Sequence, residues 1–486
     1  MRAAAPVLPV VAVVAALALP ITSDAEGGAT PADAVSGLLV LWCAAGLLRD
    51  RRRPLTRTAA VVLGLPVVGL ALAAAGAGDP GAGIAGLGRY LQVFVLVPVA
   101  VLLCVRSRSD FRVVAWSFVG LALWQGAVGV HQYATGTGAS YAGEDIRAVG
   151  TFGAGDVMGM ATVVSFGLVC AVGLALAPAT AKQRAWALVC SALLVLPLAV
   201  SFSRGAWIAA AAACGLQVVL AGLRRAVAVF AAVAAVGVVL VGGLGIGSTM
   251  LQDRISSITR VTDAPDQSVT DRYTMWAAAA GMWREQPLTG VGLKGFPEHR
   301  DSNASLALSS GSDIAGAGTA YQKQPLLSPH NMYLLVLSEQ GLIGLLALGG
   351  SWLALAVCGA RGLVRARREA GHGGDGGHGA RAGHERGADG SAGGAGGIAP
   401  GTGGIDRRSG GVDRRAGGID CGLVACGLVA WVLVDFMYAD IGGPTTVLTA
   451  VCFGLVAWWA LADRTATGAA PVGAATARVP EEAGTR

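Results

Sequence analysis

Long apolar runs separated by short polar breaks dominate the chain, and this pattern is typical of a protein that crosses a membrane many times. The runs long enough to cross a hydrocarbon core lie at residues 5–21, 32–48, 58–77, 91–105, 113–133, 157–177, 185–202, 205–223, 226–246, 332–358, 421–439 and 444–462. The first run lacks a convincing cleavage site, so we interpret it as a retained helix. The pattern predicts an all-α fold, a polytopic transmembrane bundle of about 12 helices.

Lysine and arginine are concentrated in every second gap between these runs. They lie at Arg49, Arg51, Arg52, Arg53 and Arg57, at Arg106, Arg108 and Arg112, at Lys182 and Arg184, at Arg224 and Arg225, and at Arg361, Arg365, Arg367 and Arg368. Cytoplasmic loops of membrane proteins carry an excess of these residues. We therefore expect a multi-pass protein of the cytoplasmic membrane, with both termini cytoplasmic and its chemistry on the extracytoplasmic side.

This orientation divides the chain into six regions. They are residues 1–246 with helices 1 to 9, an extracytoplasmic loop at 247–331, helix 10 at 332–358, a cytoplasmic linker at 359–420, helices 11 and 12 at 421–462, and a cytoplasmic tail at 463–486. In the outer loop, aromatic residues recur at helical spacing between Thr270, a possible cap, and Pro287, which predicts an amphipathic helix on the membrane face. The linker is rich in glycine, so we expect it to be disordered.

Composition agrees with a membrane solvent, since 54% of the 486 residues are hydrophobic and 14% are charged. The net charge of +6 comes from short clusters between apolar runs, which argues against a nucleic-acid partner. The nine cysteines fall almost entirely inside apolar runs and show no zinc spacing or disulfide framework. Weak metal binding by His372, His378 and His384 of the linker is an alternative to a plain flexible segment, which the composition favours.

Three arginines stand near the predicted outer boundary, where a charge is expensive unless it has a task or a partner. Arg204 lies in a tight turn between two helices, Arg272 begins a predicted helix at Asp271–Arg284, and Arg147 lies in the loop after the fifth run. Each is a candidate anion contact, because a guanidinium binds phosphate well. The alternatives are an arginine that snorkels to the interface, a solvated loop residue and an interfacial anchor, respectively.

One histidine is placed to act as a base. His330 follows Pro329 and precedes the tenth run, so its imidazole lies near a helix N-terminus, which disfavours the charged form. A purely structural histidine is the alternative. Glu339 would point to the opposite face of a continuous helix, which makes a direct carboxylate–histidine pair doubtful. His131 and Tyr133 are weaker candidates, interpreted as residues of the interfacial belt.

These residues occur in strings that resemble the O-antigen ligase and polymerase family of bacterial polytopic membrane glycosyltransferases. The strings are Ser203-Arg204-Gly205, Arg272-Tyr273-x-x-Trp276, Glu285-x-Pro287-Leu288-x-Gly290-Val291-Gly292-x-x-x-Phe296, His330-Asn331-x-Tyr333 and Glu339-x-Gly341-Leu342-Ile343-Gly344. Arg147-x-x-Gly150-Thr151-Phe152 looks like a further block, although Asp156 stands where an asparagine is frequent. Together the blocks cover roughly residues 145–358.

The resemblance implies transfer of a glycan from an undecaprenyl-diphosphate carrier to an acceptor hydroxyl outside the cytoplasmic membrane. The acceptor would be a glycan, a lipid or a protein. Carried over by motif, Arg204 and Arg272 would bind the diphosphate and His330 would activate the acceptor. Arg147 would line the same cavity, with Tyr273, Trp276, Asn331 and Tyr333 as further substrate-binding residues. Because no Asp-x-Asp pair occurs in an outer loop, we expect transfer without a metal or another cofactor.

Two other classes of function remain open. A transporter of a lipid-linked glycan or a small anion normally places broken helices and ionisable groups near the bilayer midplane, whereas the predicted helices are nearly free of charge at their centres. A scaffold for envelope-assembly proteins would not need the arginine and histidine positions. The sequence does not separate a ligase from a polymerase, because the two differ only in the acceptor.

Overall fold

The computed structural model describes residues 6–20, 30–50, 55–141, 146–153, 156, 158–177, 180–238, 267–316, 319–382, 418–443 and 445–462. Over these residues the chain is almost entirely helical, which confirms the predicted all-α polytopic fold. The helices are α1 Leu8–Ala16, α2 Pro31–Asp50, α3 Arg57–Ala75, α4 Pro80–Leu91, α5 Val97–Cys104, α6 Arg108–Thr135, α7 Gly159–Leu176, α8 Ala181–Val200, α9 Arg204–Ala221, α10 Leu223–Val238, α11 Gln267–Glu285, α12 Phe296–Asn303, α13 Met332–Ala382, α14 Ile419–Asp435 and α15 Thr446–Leu461. A π-helical stretch, Gln92–Leu96, joins α4 to α5.

Eight of the described helical segments are long and apolar enough to cross a membrane. They correspond to the second to eighth and the tenth of the predicted runs, with α4 and α5 forming one span at Pro80–Cys104. The other four predicted runs fall on α1, α10, α14 and α15, which are 9, 16, 17 and 16 residues long. Residues 239–246 of the ninth run and the predicted tail at 463–486 lie outside the described residues.

Local sequence explains where several helices begin. Ser107 and Asp110 form a capping box at the start of α6, and Thr180 and Gln183 form one at the start of α8. Small residues allow the helices to approach closely, as membrane helices generally do. A Cβ atom added to Gly167 of α7 would lie 2.2 Å from the Cβ of Ala122 on α6. The α6–α7 contact therefore requires glycine.

The helix α13 is broken at Gly341, which has φ 64° and ψ −164°. The break frees backbone groups on both sides, and residues 287–292 satisfy them. Val291 donates its N–H to Ser338 O at 2.9 Å, and Gly292 donates to Glu339 O at 3.1 Å. In return, Leu342 N–H donates to Pro287 O at 2.9 Å. We call this arrangement of residues 287–292 and 338–343 the clamp; it joins two of the motif blocks described above.

Glycine is needed at two positions of the clamp. At Gly341 an added Cβ would lie 2.3 Å from Leu288 backbone atoms, and at Gly290, where φ is 69°, it would lie 2.5 Å from Ser338 O. Both residues adopt the left-handed region that side chains rarely enter. The glycines of these motifs therefore serve the packing of backbone on backbone.

Two details differ from the sequence-based expectations. The helix α11 begins at Gln267, so Thr270 is not its cap. The helix α13 continues to Ala382, so the described beginning of the predicted disordered linker is helical, and Leu363 and Ala366 there are fully buried. Burial of these two side chains helps to order the part of the helix that precedes the glycine-rich stretch. Residues 383–417 lie outside the described residues.

A small antiparallel sheet, which was not predicted, connects two outer segments. Its strands are β1 Ala139–Tyr141, β2 Ser312–Gly316 and β3 Thr319–Gln324, in the order β1-β2-β3. Ala139 lies opposite Gly316, and Ser312 lies opposite Gln324. The sheet ties the segment after α6 to the long loop that precedes α13.

Helix ends fall on two opposite faces of the bundle. On one face Arg112 pairs with Asp420 at the start of α14, and Arg225 donates to Leu176 O at the end of α7 at 3.1 Å. We call this the basic face, because Arg112 and Arg225, which belong to two of the basic gaps, lie there. The helices α9 and α13 begin on the opposite face, so Arg204 and His330 lie together on that side, as the alternation of charged gaps predicted.

Candidate active site

His330 occupies a strained turn at the start of α13. Its φ is 48°, an unusual value for a residue with a side chain. Asn331 caps the helix, since its Oδ1 accepts the N–H of Leu334 at 3.1 Å, and its Nδ2 donates to Met437 O at 3.1 Å. Met332 N–H donates to Phe436 O at 2.8 Å. The imidazole is therefore held on a backbone fixed from both sides, which is a common feature of functional sites.

The helix α11 brings an arginine and a tryptophan to this turn. Trp276 donates its indole N–H to Pro329 O at 2.9 Å, directly beside His330. Arg272, one turn earlier on the same helix, is half-buried and close enough for its charge to act on His330. Asp271 fixes the helix, because it accepts Ser309 N–H at 2.8 Å and Ser309 O–H at 2.6 Å. Arg272 and His330 thus share one site.

The position of Arg272 within its helix differs from the prediction. We expected it at the helix N-terminus, beside free N–H groups, but α11 begins five residues earlier at Gln267. An apolar face of α11 buries Met275, Ala279 and Met282 against Phe296 and Leu335. That face packs on protein, and the predicted contact of α11 with the membrane surface is not needed to cover it.

Asp440 is a neighbour of His330 that sequence reasoning missed. It lies in the connection between α14 and α15, and its carboxylate accepts a short hydrogen bond from Ser328 Oγ. Ser328 Oγ also accepts the N–H of His330, at 3.5 Å. The only signal in the sequence was an acidic residue in a short turn between two apolar runs. Asp440 supplies the carboxylate beside the histidine that Glu339 does not.

The connection that carries Asp440, residues 436–443, contacts the starts of α9 and α13 and the end of α4, and we call it the hub loop. It accepts hydrogen bonds from Asn331 and Met332, as described above, and its Gly443 O accepts one from Arg89 Nη2 at 3.0 Å. Its Tyr438 packs on α9, since a Cβ added to Gly205 would lie 3.1 Å from the Tyr438 Cβ. The hub loop therefore joins the ends of α9 and α13.

Arg204 is the first residue of α9 and is exposed on this face. Ser203 caps the helix by accepting Ala206 N–H at 3.3 Å, and Phe202 before it has a φ of 50°. A helix N-terminus with an arginine is a favourable place for an anion. Through Gly205 and the hub loop, Arg204 is connected to the turn of His330.

Arg147 lies next to the turn of Arg204. Its backbone forms an isolated bridge with Ala139, with Arg147 N–H donating to Ala139 O at 2.8 Å. The following residue, Ala148, donates to Val200 O at 3.2 Å, at the end of α8. Arg147 is half-buried. The structure thus brings the Arg147 block beside the Ser203-Arg204-Gly205 block.

The remaining predicted binding residues differ in what their polar atoms contact. Tyr333 donates its O–H to Leu433 O at 2.7 Å. The side-chain amide of Asn331 is already hydrogen-bonded to Leu334 and Met437. Tyr273 is exposed, with its ring edge-to-face on Trp276 at 5.6 Å between centroids. Asn331 and Tyr333 hold α13 against α14, whereas Tyr273 and Trp276 offer ring surface next to Arg272.

Glu339 does not reach His330, in agreement with the sequence-based expectation. It is 2% exposed and accepts Phe296 N–H at 3.3 Å, inside the clamp. The exposed Lys294 is its nearest positive charge. The expectation rested on a continuous helix, whereas the observed break at Gly341 follows Glu339. The carboxylate therefore belongs to the clamp and is separate from the candidate base.

A cavity of about 70 Å³ adjoins the hub loop. Three carboxylates line it, those of Asp156, Asp435 and Asp440, together with Thr445, Thr446 and Thr449. Asp156 sits at the start of α7 and accepts a hydrogen bond from Thr445 Oγ1 at 3.4 Å. Burial raises the pKa of Asp156 to about 6, although hydrogen bonds from Thr445, Gly159 and Met158 oppose the rise. The acidic lining of this cavity can accept hydrogen bonds from hydroxyl groups and repels phosphate.

Burial is the main influence on the charge of His330. It lowers the pKa of the imidazole below its usual value; Asp440 acts to raise the pKa, and Arg272 to lower it. The result favours a neutral ring near pH 7, able to accept a proton. The sequence predicts a neutral imidazole from the helix dipole, and the structure adds burial and the charge of Arg272 as causes.

Comparison with known protein families gives a match to the central part of the chain. Residues 186–349 match the family model described as O-antigen ligase, a range that runs from α8 into α13 and includes Arg204, Arg272 and His330. Arg147 and Asp440 lie outside the matched range. No curated protein matches the chain. The match confirms the resemblance to the O-antigen ligase and polymerase family that the motifs predicted.

Proposed function

We propose that the protein transfers a glycan from a polyprenyl diphosphate, namely undecaprenyl diphosphate, to an acceptor hydroxyl on the extracytoplasmic side of the cytoplasmic membrane. The observation that carries the proposal is the half-buried His330, whose imidazole pKa is lowered, next to the positive Arg272 on a turn held by Trp276 and by the hub loop. A base and an anion contact side by side are what this transfer requires. The family match supports glycan transfer in envelope biogenesis.

The donor diphosphate would lie between Arg204 and Arg272. Negative charge builds on the diphosphate as its bond to the anomeric carbon breaks, and fixed guanidinium groups stabilise that charge. The N-terminus of α9 adds free backbone N–H groups beside Arg204. Trp276 and Tyr273 would contact the apolar face of the first sugar.

His330 would remove the proton from the acceptor hydroxyl as its oxygen bonds to the anomeric carbon. The carbon–oxygen bond to the diphosphate breaks in the same step, and undecaprenyl diphosphate leaves with the electron pair. Asp440 would stabilise the imidazolium that forms and, through Ser328, hold the turn in place.

The proposal is tested with Arg204→Ala, Arg272→Ala and His330→Ala in membranes supplied with a lipid-diphosphate donor. We expect each variant to lose glycan transfer while the chain is still inserted. Arg284→Ala is the matched control, because Arg284 is an exposed arginine at the far end of α11. Full activity in all three variants would refute the site. Transfer should also persist in the presence of a metal chelator.

The broken helix α13 favours a second candidate function, transport of a lipid-linked glycan or a small anion. Transporters often bind at helix breaks, and Glu339 is an ionisable group buried at this one. The clamp fills the break with backbone from residues 287–292, which argues for a structural role. Reconstituted vesicles separate the two functions: flux of the lipid-linked glycan without an acceptor, retained in His330→Ala, would favour transport.

A further inference from the structure

A second cavity lies on the basic face, far from the candidate active site. Its volume is about 270 Å³, room for about nine water molecules. Four apolar residues and two arginines line it: Leu176, Ala221, Ile419, Leu423, Arg225 and Arg367. Ala221 ends α9, the helix that begins with Arg204, so the 18 residues of that helix separate the two sites by about 27 Å. The cavity is therefore not part of the donor site.

Two guanidinium groups approach each other in this cavity. Arg225 donates from Nη1 to Leu176 O at 3.1 Å, which leaves its other nitrogens directed away from that carbonyl. Arg367 Nη2 is buried and has no hydrogen-bond partner within the described ranges. Like charges in a partly apolar cavity repel, and a buried donor without a partner costs free energy. A bound anion would remove both costs.

No acidic residue among those described neutralises the pair. The nearest carboxylate in sequence to the cavity, that of Asp420, is bound by Arg112 on α6. Nearby Arg361, Arg365 and Arg368 on α13 add positive charge to the same end of the helix. The local field therefore attracts an anion from the surroundings.

The apolar lining indicates which anion fits. Leu176 and Ile419 are the last and the first residues of α7 and α14, so the cavity lies at helix ends, the level at which membrane helices meet lipid headgroups. A free inorganic phosphate would gain nothing from this lining. A phospholipid places its phosphate at the headgroup level and its acyl chains on apolar surface, and basic pockets between membrane helices bind such lipids.

We propose that the cavity between Arg225 and Arg367 binds the phosphate of an anionic membrane phospholipid on the basic face. The two guanidinium groups hold the phosphate, and Leu423 and Ile419 contact the first carbons of the lipid. The site ties α9 and α10 to α13 and α14 at the end opposite the candidate active site. It does not depend on the transfer chemistry proposed above.

Native mass spectrometry of the purified full chain tests the proposal, with phosphatidylglycerol as the probe and phosphatidylcholine as the neutral comparison. We expect the double variant Arg225→Gln/Arg367→Gln to bind phosphatidylglycerol at least tenfold more weakly, since each positive charge near a membrane surface is worth about fivefold. The matched control, Arg361→Gln/Arg365→Gln, removes two exposed charges from the same helix end and should change binding less than twofold.

A second variant leaves both arginines in place. Ala221→Leu extends a side chain into the cavity and should displace the lipid while the charge is unchanged. We also expect phosphatidylglycerol to raise the thermal unfolding midpoint of the wild type, and to do so less in the double variant and in Ala221→Leu. Equal lipid binding in the wild type and both variants would overturn the proposal, as would an equal rise with inorganic phosphate alone.

Discussion

The two ends of the first segment of α13 bury polar groups in different ways. At its N-terminus, His330 lies among Arg272 and Asp440, side chains from other elements whose charges act on the imidazole. At the break, the backbone carbonyl of Glu339 accepts the N–H of Gly292, and its carboxylate accepts the N–H of Phe296. The first arrangement leaves charge and a cavity available for a ligand, and the second is closed by the chain itself. Buried polar groups therefore indicate chemistry only where their neighbours leave something to bind.

The largest expected effect comes from comparing glutamine substitutions at His330 and at Glu339. We expect His330→Gln to reduce glycan transfer by about 100-fold to 10,000-fold, because a positioned base contributes that much. Glu339→Gln keeps an oxygen that can accept Phe296 N–H, so its activity should stay within about threefold of the wild type. Rates are measured in membranes, normalised to the amount of inserted protein. Similar losses in both variants would remove the distinction between the centres.

A substitution in the clamp should impair folding of the protein. Gly341→Ala places a Cβ 2.3 Å from Leu288 backbone atoms at a φ of 64°. Such strain costs on the order of 1–3 kcal/mol or more, so we expect less inserted protein and a lower unfolding midpoint. The control is Gly349→Ala, in the same helix, where an added Cβ meets nothing within 4 Å. Equal yields of the two variants would show that the break is not required.

The sequence predicted the membrane spans and the position of His330, but it did not predict the helix break at Gly341 or the role of Asp440. Apolar runs and charged gaps depend on local composition, so they predicted eight of the described spans and the shared face of Arg204 and His330. The break at Gly341 lies inside an apolar run and depends on pairing with a segment about 50 residues earlier, which periodicity does not detect. Asp440 was missed for the same reason, because its importance arises from Ser328, more than 100 residues away in sequence.

The pH dependence of transfer should report the neighbours of His330. A base with a lowered pKa stays active as the pH falls until that pKa is reached, so transfer declines on the acid side, below the usual histidine pKa. Asp440 acts to raise this pKa and Arg272 to lower it. We therefore expect the acid limb of kcat/KM to move to lower pH in Asp440→Asn, and the acid limb of the residual activity of Arg272→Gln to move to higher pH. An unmoved limb in Asp440→Asn would mean that its carboxylate does not act on the base.

The smallest expected effect is at Asp156, where the chain departs from the asparagine frequent in the family it resembles. Burial raises the pKa of this carboxyl from 3.8 to about 6, so the folded protein binds a proton more tightly than the unfolded chain. The stability that this proton provides is complete below about pH 4 and is lost as the pH rises through 6. In Asp156→Asn, whose amide oxygen can still accept from Thr445, that loss should be absent.

We therefore expect Asp156→Asn to be as stable as the wild type near pH 4 and more stable by about 3 kcal/mol at pH 7, which is the free energy that corresponds to a pKa rise from 3.8 to about 6. Unfolding midpoints of the detergent-solubilised protein at the two pH values measure this difference. Transfer should stay close to that of the wild type, because Asp156 holds the hub loop through Thr445 and does not touch His330. A large loss of transfer with unchanged stability would instead place Asp156 among the groups that bind the acceptor, and would extend the chemical centre to the cavity beside the hub loop.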